Sequence, residues 1–329
     1  MNTDLVLLDA VAGLKVLVIG EAMLDCYLEG FSDRLCQEAP VPVVTVTDRK
    51  QVPGGAANTA VNVHTLGGIV TFLSVIGDDW EGAMLRRSLE EQGVSTKYLL
   101  TQSGRKTLAK QRVIAASQLL VRFDQGNTDA IDSETEKALI EQLERCFSEC
   151  DAIIVSDYGY GILTEKVIGA IAKLQQTQQR ILVVDSKRLT AYRNANVTAV
   201  KPNYNEAVHL LSVEASQTSV PDYARSDQIA KYGERLLDLT NAQIVAVTLD
   251  AEGAIVFERN CAAYRTYAQT ANQSRATGAG DTFVSALTLA LAAKATTPVA
   301  IKLAASAAAV VVGKEGLQLA LSVNCGRCY

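Results

Sequence analysis

The feature that most limits how this chain can fold is a unit that recurs along it: a short apolar run that ends in polar or glycine residues. Lys15-Val-Leu-Val-Ile-Gly20, Val70 to Ile76, Ala152-Ile-Ile-Val-Ser156, Ile181-Leu-Val-Val184, Val197 to Val200 and Ile244 to Thr248 all have this form. Apolar runs this short, without polar alternation, suit strands buried on both faces. Helical stretches lie between several of them, notably Glu81 to Gln92, Glu134 to Cys150 and Glu165 to Gln175. Alternation of buried strand and amphipathic helix predicts an α/β fold: a doubly wound, mostly parallel central sheet with helices on both faces. Ligands of such sheets bind beyond the carboxyl ends of the strands. The polar clusters lie there: Glu21 to Asp25, Asp157-Tyr-Gly-Tyr-Gly161, Asp185-Ser-Lys187, Lys201-Pro-Asn203-Tyr-Asn-Glu206 and Leu249-Asp-Ala-Glu-Gly253.

Between Cys26 and Val52 the pattern changes to short alternating segments broken by Pro40 and Pro42, which suits a small antiparallel excursion. Thr107 to Ala115 and Leu119 to Asp124 form a second pair of short strands. We expect one domain over 1–329, with a small β lid made from segments at about 26–52 and 98–124. The C-terminal third, Asp281 to Lys314, is expected to be two Ala-rich helices packed closely on the sheet.

The most informative stretch for chemistry is Ala276-Thr-Gly-Ala-Gly-Asp-Thr-Phe283, which leads into an apolar helical run. Gly278 and Gly280 allow backbone to approach a ligand closely. The N–H groups that open a helix are unpaired and lie at its positive end, so they suit an anion. Asp281 beside such an anion site is placed to take a proton from a hydroxyl that attacks a phosphoryl group. Alone, the stretch is equally a glycine-rich turn with Asp281 as a helix cap.

Pro53-Gly-Gly-Ala-Ala-Asn58 opens another helix, closed by Gly67-Gly68. Gly54 and Gly55 permit close approach, and Asn58 offers a polyol both a donor and an acceptor. Asp25 follows the first strand, as a ligand contact or as a turn residue. Lys110 and Arg112 fall on one face of a strand by period two, facing either solvent or a substrate phosphate, and Arg122 lies on the next strand. There is no G-x-G-x-x-G after the first strand and no G-x-x-x-x-G-K-[ST] anywhere, so neither a dinucleotide fingerprint nor a P-loop is present.

A net charge of −5 without a basic stripe argues against nucleic acid and anionic membranes as partners. No signal peptide or membrane span is expected. Seven scattered cysteines fit reduced thiols in a cytoplasmic setting. Cys146, Cys150, Cys325 and Cys328 have the spacing of two thiolate pairs for zinc, but nothing forces the pairs together. With only His64 and His209, a histidine metal site or a Ser-His-Asp triad is not expected.

Pro53-Gly-Gly-Ala-Ala-Asn58 and Thr277-Gly-Ala-Gly-Asp-Thr282, in that order near opposite ends of the chain, resemble the two signatures of the ribokinase-like (PfkB) carbohydrate kinases. The likeness runs from Val16 to about Gly316. It is strongest to the heptose 7-phosphate kinase branch, through Met23-Leu-Asp25, Glu38 to Val44, Lys110-Gln-Arg112, Gln118 to Arg122, Ser156-Asp-Tyr158, Asp185-x-Lys187 and Val310 to Lys314. The resemblance implies ATP as phosphoryl donor and O1 of D-glycero-D-manno-heptose 7-phosphate as acceptor. By it Asp281 is the base, and the backbone from Gly278 through Ala279 to Gly280 is the anion hole. Asp25, Gly54, Gly55 and Asn58 match sugar contacts, and Lys110, Arg112, Arg122 and Lys187 are candidate substrate-binding residues beside them. Asn203, Glu206, Thr248 and Gly253 face the nucleotide, Asn203 and Glu206 holding Mg²⁺ through water.

Bifunctional relatives carry a further nucleotidyltransferase domain, and none is expected here. Three positions depart from the branch: Arg275 replaces an aspartate, Tyr160 a lysine and Ala305 an asparagine. Arg275 as a fixed positive charge implies weak dependence on K⁺. The residues leave open a different sugar or phosphosugar, or a non-catalytic regulator on the same fold. A homodimer through exposed lid strands is expected as well.

Overall fold

The structure, a computed structural model, describes residues 10–212, 225–267 and 278–312. Among these residues, nine strands form one sheet in the order β13-β12-β11-β10-β9-β8-β1-β4-β5. The strands are β1 Lys15–Gly20, β4 Ile69–Gly77, β5 Leu99–Gln102, β8 Ala152–Asp157, β9 Ile181–Ser186, β10 Ala199–Val200, β11 Ile244–Thr248, β12 Ala254–Glu258 and β13 Tyr264–Thr266. All neighbours are parallel except at the edge, where β12 runs antiparallel to both β11 and β13. The chain adds β4 on one side of β1 and returns to add β8 on the other. The carboxyl ends of β1 and β8 therefore flank the point where strand order reverses, which is the usual site of a ligand cleft.

Both faces of the sheet are covered because its central strands present apolar side chains to both. Val16 and Val18 of β1, with Ala152 and Ile154 of β8, pack into one core. Their alternates Leu17, Ile19, Ile153 and Val155 pack into the other. The first core is closed by helices α1 (Ala56–Thr65), α8 (Ala279–Ala292) and α9 (Thr297–Val312), through small residues such as Ala57, Ala60, Ala286, Ala290 and Ala304. The second is closed by α3 (Ser133–Phe147), α4 (Glu165–Thr177), α5 (Tyr204–Leu211) and α7 (Gly233–Thr240). Helix α2 (Trp80–Glu91) joins the first core through Leu85 and Leu89, and α6 (Arg225–Ala230) joins the second through Ile229.

A second sheet has the order β3-β2-β6-β7, from β2 Ala22–Leu35, β3 Pro42–Gly55, β6 Ala109–Ala115 and β7 Gln118–Gln125. Within the 98–124 segment, Leu99–Gln102 pairs with β4 in the main sheet, so the second sheet takes up the chain from Ala109. Asp25 is not a turn residue. One residue after β1, the chain enters β2 and runs on as a fourteen-residue strand, with Asp25 paired to Val52 and to Lys110. The expected strand over 197–200 is regular only at Ala199–Val200.

Candidate active site

Helix α8 starts at Ala279, with Gly278 as its N-cap at φ 87°, a left-handed conformation that glycine adopts without cost. Asp281 is therefore in the first turn, and its side chain does not cap the helix. Its carboxylate is buried and points across the carboxyl edge of the sheet. Asn58 Nδ2 donates to Oδ2 at 2.6 Å, and the Tyr158 hydroxyl donates to Oδ1 at 3.1 Å. Burial pushes the Asp281 carboxyl above the usual carboxylate range, while Asn58, Lys201 and Tyr158 hold it down.

Asn58 has a single useful orientation. Asn62, one turn along α1, donates to the Asn58 carbonyl at 2.9 Å and to its Oδ1 at 3.3 Å. Thr282 Oγ1 donates to Asn62 Oδ1 at 2.8 Å. The chain of donors runs from α8 to α1 and back, leaving Asn58 Nδ2 as the donor that faces Asp281. The two glycine-rich stretches of the sequence thus meet at one carboxylate.

On the second sheet, Arg112 Nη1 lies 2.6 Å from Asp25 Oδ1, with Asp25 buried and Arg112 only 12% exposed at its side chain. Lys110 is half-buried, its ammonium 5.3 Å from the centre of the Tyr158 ring and 5.8 Å from that of Tyr160. Burial pushes its pKa down. Lys110 and Arg112 thus face the site rather than open solvent. Tyr158 and Tyr160 stack with centroids 6.3 Å apart, and Lys187 Nζ approaches Tyr160 from another side at 5.4 Å. Arg122 is exposed and pairs with Asp124 two residues along β7, so it stands at the rim of this cationic cluster. Gly54 makes room for a neighbour: a Cβ there would lie 2.2 Å from Asp25 Oδ2. Gly55, at φ 56°, ends β3 and caps α1.

On the other side of Asp281, Asn203 caps α5. Its side chain accepts from Glu206 N–H at 2.9 Å, and Glu206 Oε2 accepts from Asn203 N–H at 2.8 Å. This reciprocal pair is a capping box, so both residues have a structural role whatever else they do. Asn203 bridges to Thr248, and Gly253 turns the chain at φ 89° before β12.

Sequence reasoning assigned no role to Lys201 or Tyr158. The Lys201 ammonium is buried, 3.1 Å from Asp185 Oδ2, and lies 3.4 Å from where a Cβ on Gly280 would be. Burial pushes the ammonium towards neutrality, but Asp185, Glu206 and Asp281 outweigh it and its pKa is raised. Asp185 is pushed up to about 6, by burial and by Glu206 and Asp281 despite Lys201. The position of Lys201 at the end of the 197–200 run was the available signal.

Asp185, Glu206 and Asp281 share one buried cation, Lys201, among the described residues. That excess of carboxylate suits a divalent ion held by one or two acids together with phosphate oxygens, the mode Mg²⁺ favours. No cluster of three or more His, Cys, Asp or Glu side chains among the described residues is arranged to hold a metal by itself. Cys146 and Cys150 are buried, and burial pushes the Cys150 thiol up to about 11. Arg275, Cys325 and Cys328 lie outside the described residues; Ala305 is half-buried on α9 against the first core.

The profile of the pfkB family carbohydrate kinases matches residues 14–324. A protein of Desulfatibacillum aliphaticivorans called bifunctional protein HldE is 35% identical over 92% of this chain and 60% of its own length. That of Citrifermentans bemidjiense is 36% identical, over 92% and 61%. The chain thus spans about three fifths of the length of these curated relatives. Among solved structures, phosphofructokinase-2 from Escherichia coli in complex with potassium superposes with a TM-score of 0.75 at 22% identity, over 94% of this chain and 96% of that one. Ribokinase from Cryptococcus neoformans in complex with ADP gives 0.71 at 19%, over 94% and 97%. At such identities the structures support the fold alone: a mostly parallel sheet with helices on both faces and a small second sheet.

Proposed function

Because the chain belongs to the pfkB family of carbohydrate kinases, we propose that it transfers the γ-phosphoryl group of ATP to a hydroxyl of an anionic sugar. The acceptor we assign is O1 of D-glycero-D-manno-heptose 7-phosphate. The observation that carries this reading is the Asp281 carboxylate, buried at the amide end of α8, with the sugar-side Asn58 on one flank and the Lys201 ammonium on the other. Asp281 accepts the proton of the attacking hydroxyl. The hydroxyl oxygen bonds to the γ-phosphorus as the bond to the bridging oxygen of ADP breaks, and the electron pair leaves with ADP. N–H groups from Gly278 to Gly280 stabilise charge on the transferred group, and Lys201 adds a fixed cation beside them. Mg²⁺, when bound, neutralises charge on the nucleotide phosphates, and Asn203 and Glu206 would hold it through water. Thr248 and Gly253 border the nucleotide. Asp25 and Asn58 orient the sugar, and Lys110, Arg112, Arg122 and Lys187 supply the positive charge that a phosphorylated acceptor needs.

We further assign a homodimer through the second sheet. Its outer strand carries Val121 and Phe123 on one face, both more than 40% exposed, and Leu119, set apart from them by a bulge, is exposed on the same sheet with Phe31, Val46 and Leu35.

The test is ADP release with Mg-ATP and heptose 7-phosphate, fructose 6-phosphate, ribose or fructose, for the wild type and Asp281→Asn. The variant should lose about 10²- to 10⁴-fold in kcat while binding both ligands within a few-fold. Preference for another sugar would reassign the acceptor and keep the mechanism. Undiminished turnover in Asp281→Asn would remove Asp281 as the base.

A further inference from the structure

We propose that Tyr158 is a positioning residue for the phosphoryl-transfer base: its phenol donates to Asp281 and, with Asn58, aims the carboxylate and keeps it charged. The proposal rests on the reading of Asp281 as the base.

The two oxygens of Asp281 are divided between two donors on opposite sides of the cleft. Asn58 on α1 takes Oδ2 and Tyr158, just past β8, takes Oδ1. Each oxygen keeps a lone pair for a substrate hydroxyl. The phenol does not swing freely, because the backbone of its loop is fixed at four points. Glu21 accepts from the N–H of Tyr158 at 2.7 Å and from that of Ile162 at 3.3 Å. Asp157 accepts from Gly159 N–H at 2.8 Å, and Arg105 donates to the Tyr160 carbonyl at 2.9 Å. Asp157 is itself held by Ser186, Arg188 and Tyr192. A loop tied down this thoroughly, ending in one hydroxyl aimed at one carboxylate, behaves as a built support.

The charged groups facing Asp281 come from several elements: Lys201 after β10, Asp25 on β2, Asp185 on β9, and Lys110 on β6, which lies over the Tyr158 ring. Asp25 and Asp185 favour a protonated Asp281, and Lys201 opposes them. Tyr158 adds a donor that does not titrate, since burial and Asp281 keep the phenol protonated well above its ordinary range. Without that hydroxyl the balance moves towards protonation, and the base is lost at higher pH.

The test is the pH profile of kcat/KM for Tyr158→Phe. The acid limb should move up by about one pH unit, a loss of about tenfold on the acid side, with the alkaline plateau within about threefold of wild type. Site-specific 3-fluorotyrosine at 158 keeps the fold, makes the phenol a stronger donor and should move the limb to lower pH. Tyr98→Phe removes a half-buried phenol that packs against the second core, and should leave the limb in place. Limbs that stay put for both changes at 158, or move equally for Tyr98→Phe, would overturn the proposal. If Asp281→Asn is inactive while the limb stays put, this inference fails alone; if Asp281→Asn is active, the base assignment fails first.

Discussion

At Gly54 a side chain would collide with the Asp25 carboxylate before it met any ligand. Gly54→Ala should therefore push Asp25 off its ion pair with Arg112. We expect kcat/KM for the sugar to fall about 10- to 100-fold, the cost of overpacking a tight site, with the KM for ATP within about twofold. Steady-state kinetics with each substrate varied will check this, and an unchanged sugar KM would take Asp25 out of the sugar site. Asp281, Asn58 and Asp25 were legible in the sequence because each stands beside glycines or at the end of an apolar run. Tyr158 and Lys201 were not, because their importance lies in contacts with Asp281 across more than a hundred and about eighty residues of chain. Nothing in the neighbourhood of Tyr158 announces its contact, and for Lys201 the one signal was its place at the end of the 197–200 run. Asn203 and Glu206 show the converse: their spacing is explained by a helix cap, and the metal role needs the cluster around Lys201 to support it.

The elements follow the same logic. Strands buried on both faces stood out as apolar runs, and the helices between them as amphipathic stretches. β12 and β13 did not, being short and antiparallel at the sheet's edge, and β2 was hidden because half of it leaves the core and turns polar. The loop from Tyr158 to Ile162 depends on Glu21, which burial and the nearby Asp157 push from 4.5 up to about 7. The sign follows from linkage. The folded protein holds this proton more tightly than the unfolded chain, so wild-type stability falls as pH rises from 4.5 to about 7 and levels off above. Glu21→Gln has no such proton. The stability of wild type relative to the variant should drop by up to about 3 kcal/mol across that window. Urea unfolding of both proteins at several pH values will show it, and parallel pH dependences would mean that Glu21 does not titrate there.

For the whole molecule, the proposed dimer predicts that Val121→Glu with Phe123→Glu converts two-chain particles to single chains in analytical ultracentrifugation. A charge on each exposed strand face opposes close apposition while leaving the buried cores alone. Wild type sedimenting as one chain at micromolar concentration would remove the dimer. Among the described residues no helix is long and apolar enough to cross a membrane.

The direct passage from β1 into β2, with Glu21 alone between them, makes the second sheet a lever whose fulcrum is at the active site. At about 3.3 Å per residue, Asp25 lies roughly 13 Å along β2 from that pivot, and Leu35 at most about 46 Å. A tilt of about 5° would displace the far tip by about 4 Å but Asp25 by only about 1 Å, on the same strand geometry. Such a tilt would widen the mouth of the cleft while leaving the groups nearest Asp281 almost in register.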